Sequence, residues 1–390
     1  MAGPPASGPG AGDPAPRLLA AAGKRREQLV ELLATLTAVD APSGDPAALA
    51  VVADLLEPRL LALGGRVTRH DGPTGPSLEA EFGPAQASRD QILVLCHYDT
   101  VWPLGTVAER PFRVDGGLAH GPGVLDMRGG IVAVLEAIEL LRTSGGPGRR
   151  VRVLLTPDEE TGSVGSRTLI GARARAAVVV LVPEPALPGG GLKTARKGWI
   201  AYRLMAGGIA AHAGLEPERG VSAIDELIDR LVQLRALAGG APGVTLNSGE
   251  LSAANPANVI ADHAEVAIDV RFADAGEEAR VRAAFAELAA ARPGTRLEVR
   301  ELHSRAPLER TEAIAAAARR ARSLAASLGL ELGEGSAGGV SDANLAAAEG
   351  VPVLDGLGPE GGGAHALDEW VDLDSLVERT ALIALLLAEL

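Results

Sequence analysis

Five short segments of this chain carry residues that can hold a cation or move a proton. The apolar run Ile92-Leu93-Val94-Leu95-Cys96 is followed by His97-Tyr98-Asp99-Thr100. Residues i and i+2 of an extended segment share a face, so the Asp99 carboxylate can stand behind the His97 imidazole. An acid in that place fixes the tautomer of a ligand histidine and raises its basicity. A hydrogen-bonded structural histidine has the same local pattern. The glycine-rich stretch Gly121-Pro122-Gly123-Val124-Leu125-Asp126-Met127-Arg128-Gly129-Gly130 delivers Asp126 just before a helix. In isolation that stretch also fits a helix cap or a phosphate-cradling loop, but no Gly-Lys-Ser/Thr ending follows, so a P-loop is excluded. A buried-type run at 151–156 leads into Pro157-Asp158-Glu159-Glu160-Thr161-Gly162. Adjacent carboxylates repel one another, so a site that gathers them is stabilised by a cation; the alternative is a solvated acidic turn. Glu184 follows the apolar run 178–182, and His365 follows Gly361-Gly362-Gly363-Ala364. Together these form a nitrogen and oxygen donor set suited to zinc. They supply enough ligands for two ions about 3.5 to 4 Å apart that share one carboxylate.

The elements around these residues predict an α/β sheet with ligands at its strand ends. Residues 92–96, 151–156 and 178–182 are nearly continuous apolar runs, as in strands buried on both faces, and a helix is expected from Gly130 to Leu141. Helical spacing also marks 25–39, 47–63 and the terminal 373–390. From about Lys197 the pattern changes to alternating segments at 199–205, 259–272 and 296–302, interleaved with helices at 221–237 and 277–291. This predicts a main domain over 17–195 and 307–390, interrupted by an inserted α+β domain over 196–306. Residues 1–16, rich in Ala, Gly and Pro, are expected to form a disordered tail.

The bulk numbers exclude some classes of function. Fifty acidic and 37 basic residues give a formal charge of −13, which disfavours nucleic acid or an anionic membrane as the partner. Cys96 is the single cysteine, so neither an intramolecular disulfide nor a multi-thiolate metal site can form. The N-terminus lacks a secretory pattern and no stretch reaches membrane-spanning length, which makes the cytoplasm the expected location.

At the residues quoted above the chain resembles, over nearly its whole length after the tail, the zinc peptidase family of glutamate carboxypeptidase, aminoacylase, acetylornithine deacetylase and succinyl-diaminopimelate desuccinylase. The resemblance implies a mixed-sheet zinc-exopeptidase catalytic domain with an inserted dimerisation, or lid, domain. It implies two Zn2+ per subunit, replaceable by Co2+ or Mn2+. His97 and Glu184 would bind one ion, Glu160 and His365 the other, and Asp126 would bridge them. Glu159 falls on the general base and Asp99 on the acid that orients His97. The family commonly has a cis peptide after the bridging aspartate, here Asp126-Met127. Gly208-Ile209-Ala210-Ala211-His212-Ala213-Gly214 looks like the dimerisation-domain motif whose histidine stabilises the oxyanion in a homodimer partner's site. Asn258 and Arg271 fall where the family binds the substrate carboxylate, and Arg305 is a further candidate for that role.

Three stretches look nearest to the glutamate carboxypeptidase branch: Thr194 to Gly198, His212 to Pro217 continuing to Gly220-Val221, and Gly338 to Ala343. The expected activity is hydrolysis of an amide to release a C-terminal amino acid, glutamate in the leading case, from small peptides, folates or N-acyl amino acids. The alternative is an N-acyl amino acid deacylase of the acetylornithine deacetylase kind. A non-catalytic peptide-binding relative would be expected to lack His97, Asp126, Glu159 or Glu160, and all four are present.

Overall fold

The strands that end in candidate ligands lie side by side. The computed structural model describes residues 14–83, 91–239 and 243–390, and its contacts divide the chain into two units. The first comprises Met1–Thr194, Thr311–Gly335 and Glu349–Leu390; the second comprises Ala195–Arg310 and Ser336–Ala348.

In the first unit the sheet order is Arg66–His70, Ser77–Phe82, Arg150–Thr156, Gln91–His97, Val179–Val182, Val353–Asp355, Leu192–Arg196 and Glu334–Ala337. Gln91–His97 runs parallel to both Arg150–Thr156 and Val179–Val182, and Val353–Asp355 extends the parallel set. Ser77–Phe82 and Arg66–His70 add antiparallel strands at one edge, which makes the sheet mixed. Gln91–His97 is buried along its whole length, as its unbroken apolar sequence requires of a strand covered on both faces. Gly129–Thr143 and Arg167–Ala174 pack against this strand, and Leu373–Glu389, Pro14–Lys24 and Arg26–Thr37 pack around Gly129–Thr143.

A four-stranded sheet of short strands in the same unit matters more for the site. It joins Gly361–Gly362, Trp370–Asp372, Leu118–His120 and Arg113–Asp115 in that order. The segment carrying His365 is thereby pinned beside the segment leading to Asp126.

The second unit is an antiparallel sheet ordered Thr245–Ser252, His263–Phe272, Gly198–Gly207 and Arg296–Arg305, with helices Ala223–Gly239 and Ala275–Ala286. Burial alternates strictly along Gly198–Gly207, so one face is core. There the Tyr202 and Phe285 rings stack with centroids 3.8 Å apart.

Two expectations meet different outcomes here. Of the tail expected over residues 1–16, residues 1–13 lie outside the described residues, while a helix starts at Pro14. Proline is tolerated in a first helical turn, and Ala15, Leu18 and Ala22 on one face of that helix are buried against the core, so residues 14–16 are ordered rather than tail. The alternating segment expected over 259–272 is divided into Val259–Ile260 and His263–Phe272, which pair with different strands.

Candidate metal centre

The sheet's parallel strands release their chains at the same edge, and the acids and histidines collect there. His97, at the end of its strand and 2 % exposed, has Nε2 at 3.2 Å from Oδ1 of Asp126 and 3.5 Å from Oε1 of Glu184. His365, on the pinned loop, has Nε2 at 3.0 Å from Oε1 of Glu160 and 3.5 Å from Oδ2 of Asp126. Asp126 thus turns one oxygen to each imidazole. Donor atoms from His97, Asp126 and Glu160 all lie within 4.8 Å of one another.

Backbone geometry shapes this cluster. The Asp126-Met127 peptide is cis, and His365 adopts φ 62°, a left-handed conformation uncommon for a residue with a Cβ. Gly130 lies where an added Cβ would sit 2.0 Å from the carbonyl oxygen of Pro183. Only glycine allows the helix that follows Asp126 to approach the strand end bearing Glu184 so closely.

Behind the ligands is a layer of fixed carboxylates. Asp99 is fully buried and has Oδ1 3.3 Å from Nδ1 of His97. It also accepts hydrogen bonds from the backbone N–H groups of Glu159 and Glu160, each at 3.2 Å, and from the Ser43 hydroxyl at 2.7 Å. One carboxylate therefore orients the histidine and the turn that presents the two glutamates. Asp158, also fully buried, accepts from the Gly165 and Ser166 backbone and from the Ser166 and Thr74 hydroxyls, which holds the far side of that turn. Glu159 is itself buried.

The electrostatics follow from this crowding. Burial acts to lower the His97 pKa, but hydrogen bonds to Asp126, Asp99 and Glu184 outweigh it and raise the imidazole well above its ordinary value. The hydrogen bond to Glu160 lifts His365 to about 9 against a smaller opposing effect of burial. Burial raises the Glu160 carboxyl, with His365 opposing and the Asp126 charge adding to the rise.

The residues present fit a divalent cation. Tetrahedral coordination at a bond length of about 2 Å places donor atoms roughly 3.3 Å apart, and the four imidazole-to-carboxylate separations run from 3.0 to 3.5 Å. The set is imidazole and carboxylate, the chemistry of zinc, cobalt and manganese sites.

Four of the other candidates lie in the second unit. His212 is exposed, and its Nδ1 accepts hydrogen bonds from the backbone N–H groups of Gly214 and Leu215 at 3.1 and 3.2 Å. A neutral ring held this way carries its hydrogen on Nε2. Asn258 is exposed beside it, and its carbonyl accepts from the Ala213 N–H at 2.9 Å. Arg271 is engaged by Asp269 at 3.0 and 3.2 Å. Arg305 is 2 % exposed, with Nη2 3.4 Å from Oδ1 of Asp342.

Sequence reasoning did not single out two residues of this neighbourhood as functional. Lys193 has Nζ 4.0 Å from Oε2 of Glu184. Glu369 is buried against the loop carrying Asp126. No spacing or motif marks either of them, although Lys193 borders the sequence stretch resembling the glutamate carboxypeptidases.

Comparison with known proteins gives a family model described as Peptidase family M20/M25/M40 that matches residues 93–389. Carboxypeptidase G2 of Pseudomonas sp. (strain RS-16) is 31% identical over 382 residues, covering 96% of this chain and 92% of the relative. Succinyl-diaminopimelate desuccinylase of Methylobacterium sp. (strain 4-46) is 30% identical over 364 residues, covering 84% and 88%. Among solved structures, aminopeptidase PepT from Bacillus cereus ATCC 10987 superposes with a TM-score of 0.76 at 22% identity, covering 93% of this chain and 98% of that one. No helix among the described residues is long and apolar enough to cross a membrane.

Proposed function

The chain belongs to peptidase family M20/M25/M40, whose metallopeptidases are metal-dependent hydrolases, and on that premise we propose that it hydrolyses an amide bond to release a C-terminal amino acid, glutamate in the leading case. The observation that carries this reading is the division of the Asp126 carboxylate between two histidines, each with a further carboxylate beside it.

In this reading His97, Asp126 and Glu184 would hold one ion, and Asp126, Glu160 and His365 would hold a second. Zinc held there, or cobalt or manganese in its place, would supply Lewis acidity, easing deprotonation of water and polarising the scissile carbonyl. Glu159 then takes the proton of the attacking water and delivers it to the departing amine. Asp99 keeps His97 in one tautomer and fixes the backbone on which Glu159 stands. His212 offers its Nε2 hydrogen to the developing oxyanion, supplied in a homodimer by the second copy. Arg271, Asn258 and Arg305 receive the substrate carboxylate, for which Arg271 must exchange its contact with Asp269.

Glutamate as the released residue is supported by the likeness to carboxypeptidase G2. The desuccinylase relatives favour a second reading, deacylation of an N-acyl amino acid, which the same centre serves. Release of free amino acid by the zinc-loaded protein from C-terminal-glutamate peptides, folates and N-acetyl amino acids separates the two. Preference for the glutamate substrates supports the first, turnover of N-acyl amino acids alone moves the enzyme to the second, and no turnover with metal bound contradicts both.

A further inference from the structure

One buried carboxylate near the site binds backbone rather than cation. Glu369 is 1 % exposed and accepts three main-chain hydrogen bonds from the loop that carries Asp126. Its Oε2 receives the Gly123 N–H at 2.8 Å, and its Oε1 receives those of Leu125 and Asp126 at 3.0 and 3.1 Å. The Trp102 indole N–H adds a donor at 3.4 Å. Glu369 also lies close to His365 in sequence, at the start of the strand Trp370–Asp372 that pairs with Leu118–His120. A second tie runs alongside, since Arg110 stacks over the Trp102 ring at 4.3 Å and donates to the Ala366 carbonyl at 3.3 Å.

We infer that Glu369 is a positioning residue for the metal centre, holding the Asp126 loop in register with the His365 loop so that Asp126 faces both histidines. The inference rests on the metal-centre reading above. A loop with three inward N–H groups has no internal acceptors for them, and an unmade buried hydrogen bond costs about as much as desolvating the group. An anionic acceptor with two oxygens meets all three donors. A carboxamide meets some of them and turns N–H against the others, so the loop would relax and carry the Asp126 carboxylate with it.

The test is zinc affinity of the full chain, stripped of metal and titrated with Zn2+ against a chromogenic chelator, at a temperature where circular dichroism shows each variant folded. Glu369→Gln is expected to bind zinc weaker by about 10- to 100-fold, the usual effect of losing an outer partner of a ligand. The visible spectrum of the Co2+-loaded protein should change with it. Glu369→Asp, which keeps the charge and retracts it by one methylene, should fall between, and it carries the comparison if the glutamine variant does not fold. A lowered melting temperature with unchanged zinc affinity and cobalt spectrum would overturn the inference, leaving Glu369 a purely structural residue. If the unsubstituted protein takes up no zinc, the metal-centre reading itself falls, and the inference falls with it.

Discussion

His365 brings its Nε2 to 3.0 Å from Oε1 of Glu160, although 205 positions separate the two residues in sequence. Without a cation this meeting point sets Asp126 and Glu160 near each other and depends on protonated histidines to balance them. Stripping the metal with a chelator should abolish turnover and lower the melting temperature, and zinc, cobalt or manganese should restore both. Ligand bound at a hundredfold excess over its Kd contributes about 2.7 kcal/mol, a shift readily seen by scanning calorimetry. An identical melt with and without metal would contradict the assignment.

Asp99 serves three donors and a histidine with one side chain. Asn has nearly the same shape but presents an amide N–H where Asp99 accepts. Asp99→Asn is therefore expected to weaken zinc binding by about 10- to 100-fold and also to lower kcat, since the backbone of Glu159 loses its anchor. Chelator competition and steady-state kinetics measure the two effects. A loss of metal affinity with kcat intact at saturating zinc would limit Asp99 to the histidine.

Acid stability has a separate origin within the first unit. Glu79 is buried among Arg152, Arg173 and His70. Burial raises its pKa, but the hydrogen bonds from Arg173 and His70 and the charge of Arg152 outweigh it and hold the carboxyl below its ordinary value. The unfolded chain then binds the proton more readily, so this stabilisation is full above the unfolded pKa and is lost as pH falls through the depressed folded value. Glu79→Gln should cost about 3 kcal/mol near neutrality, as for breaking a buried ion pair. It should also flatten the fall in melting temperature as the pH drops below about 5. An acid limb as steep as that of the unsubstituted protein would assign acid lability to other groups.

The centre was legible where chemistry and pattern coincide. His97, Glu159, Glu160 and Glu184 follow continuous apolar runs whose short length and β-branched content read as buried strands, and the glycines around Asp126 and His365 mark turns. Less was legible where a residue's partner is remote. Glu369 is one acid among many until its three N–H donors are seen. Arg271 falls where the resemblance expects a substrate carboxylate, yet Asp269, two residues away on the same face, occupies it. The short segment Ser336–Ala348 belongs to the second unit, although the sequence pattern places it with the chain on either side. The strands Arg66–His70 and Ser77–Phe82 also escaped notice, because an edge hairpin with charged residues has little apolar signal.

The most direct test of the account is the hydrolysis rate of zinc-loaded Glu159→Gln beside the unsubstituted protein, on an N-acyl amino acid with a free carboxylate, with zinc content measured on the same samples. If Glu159 is the proton shuttle and not a ligand, turnover falls by about 10²- to 10⁴-fold while zinc content and melting temperature stay unchanged. Turnover near the original rate, or activity lost only together with the metal, would contradict it.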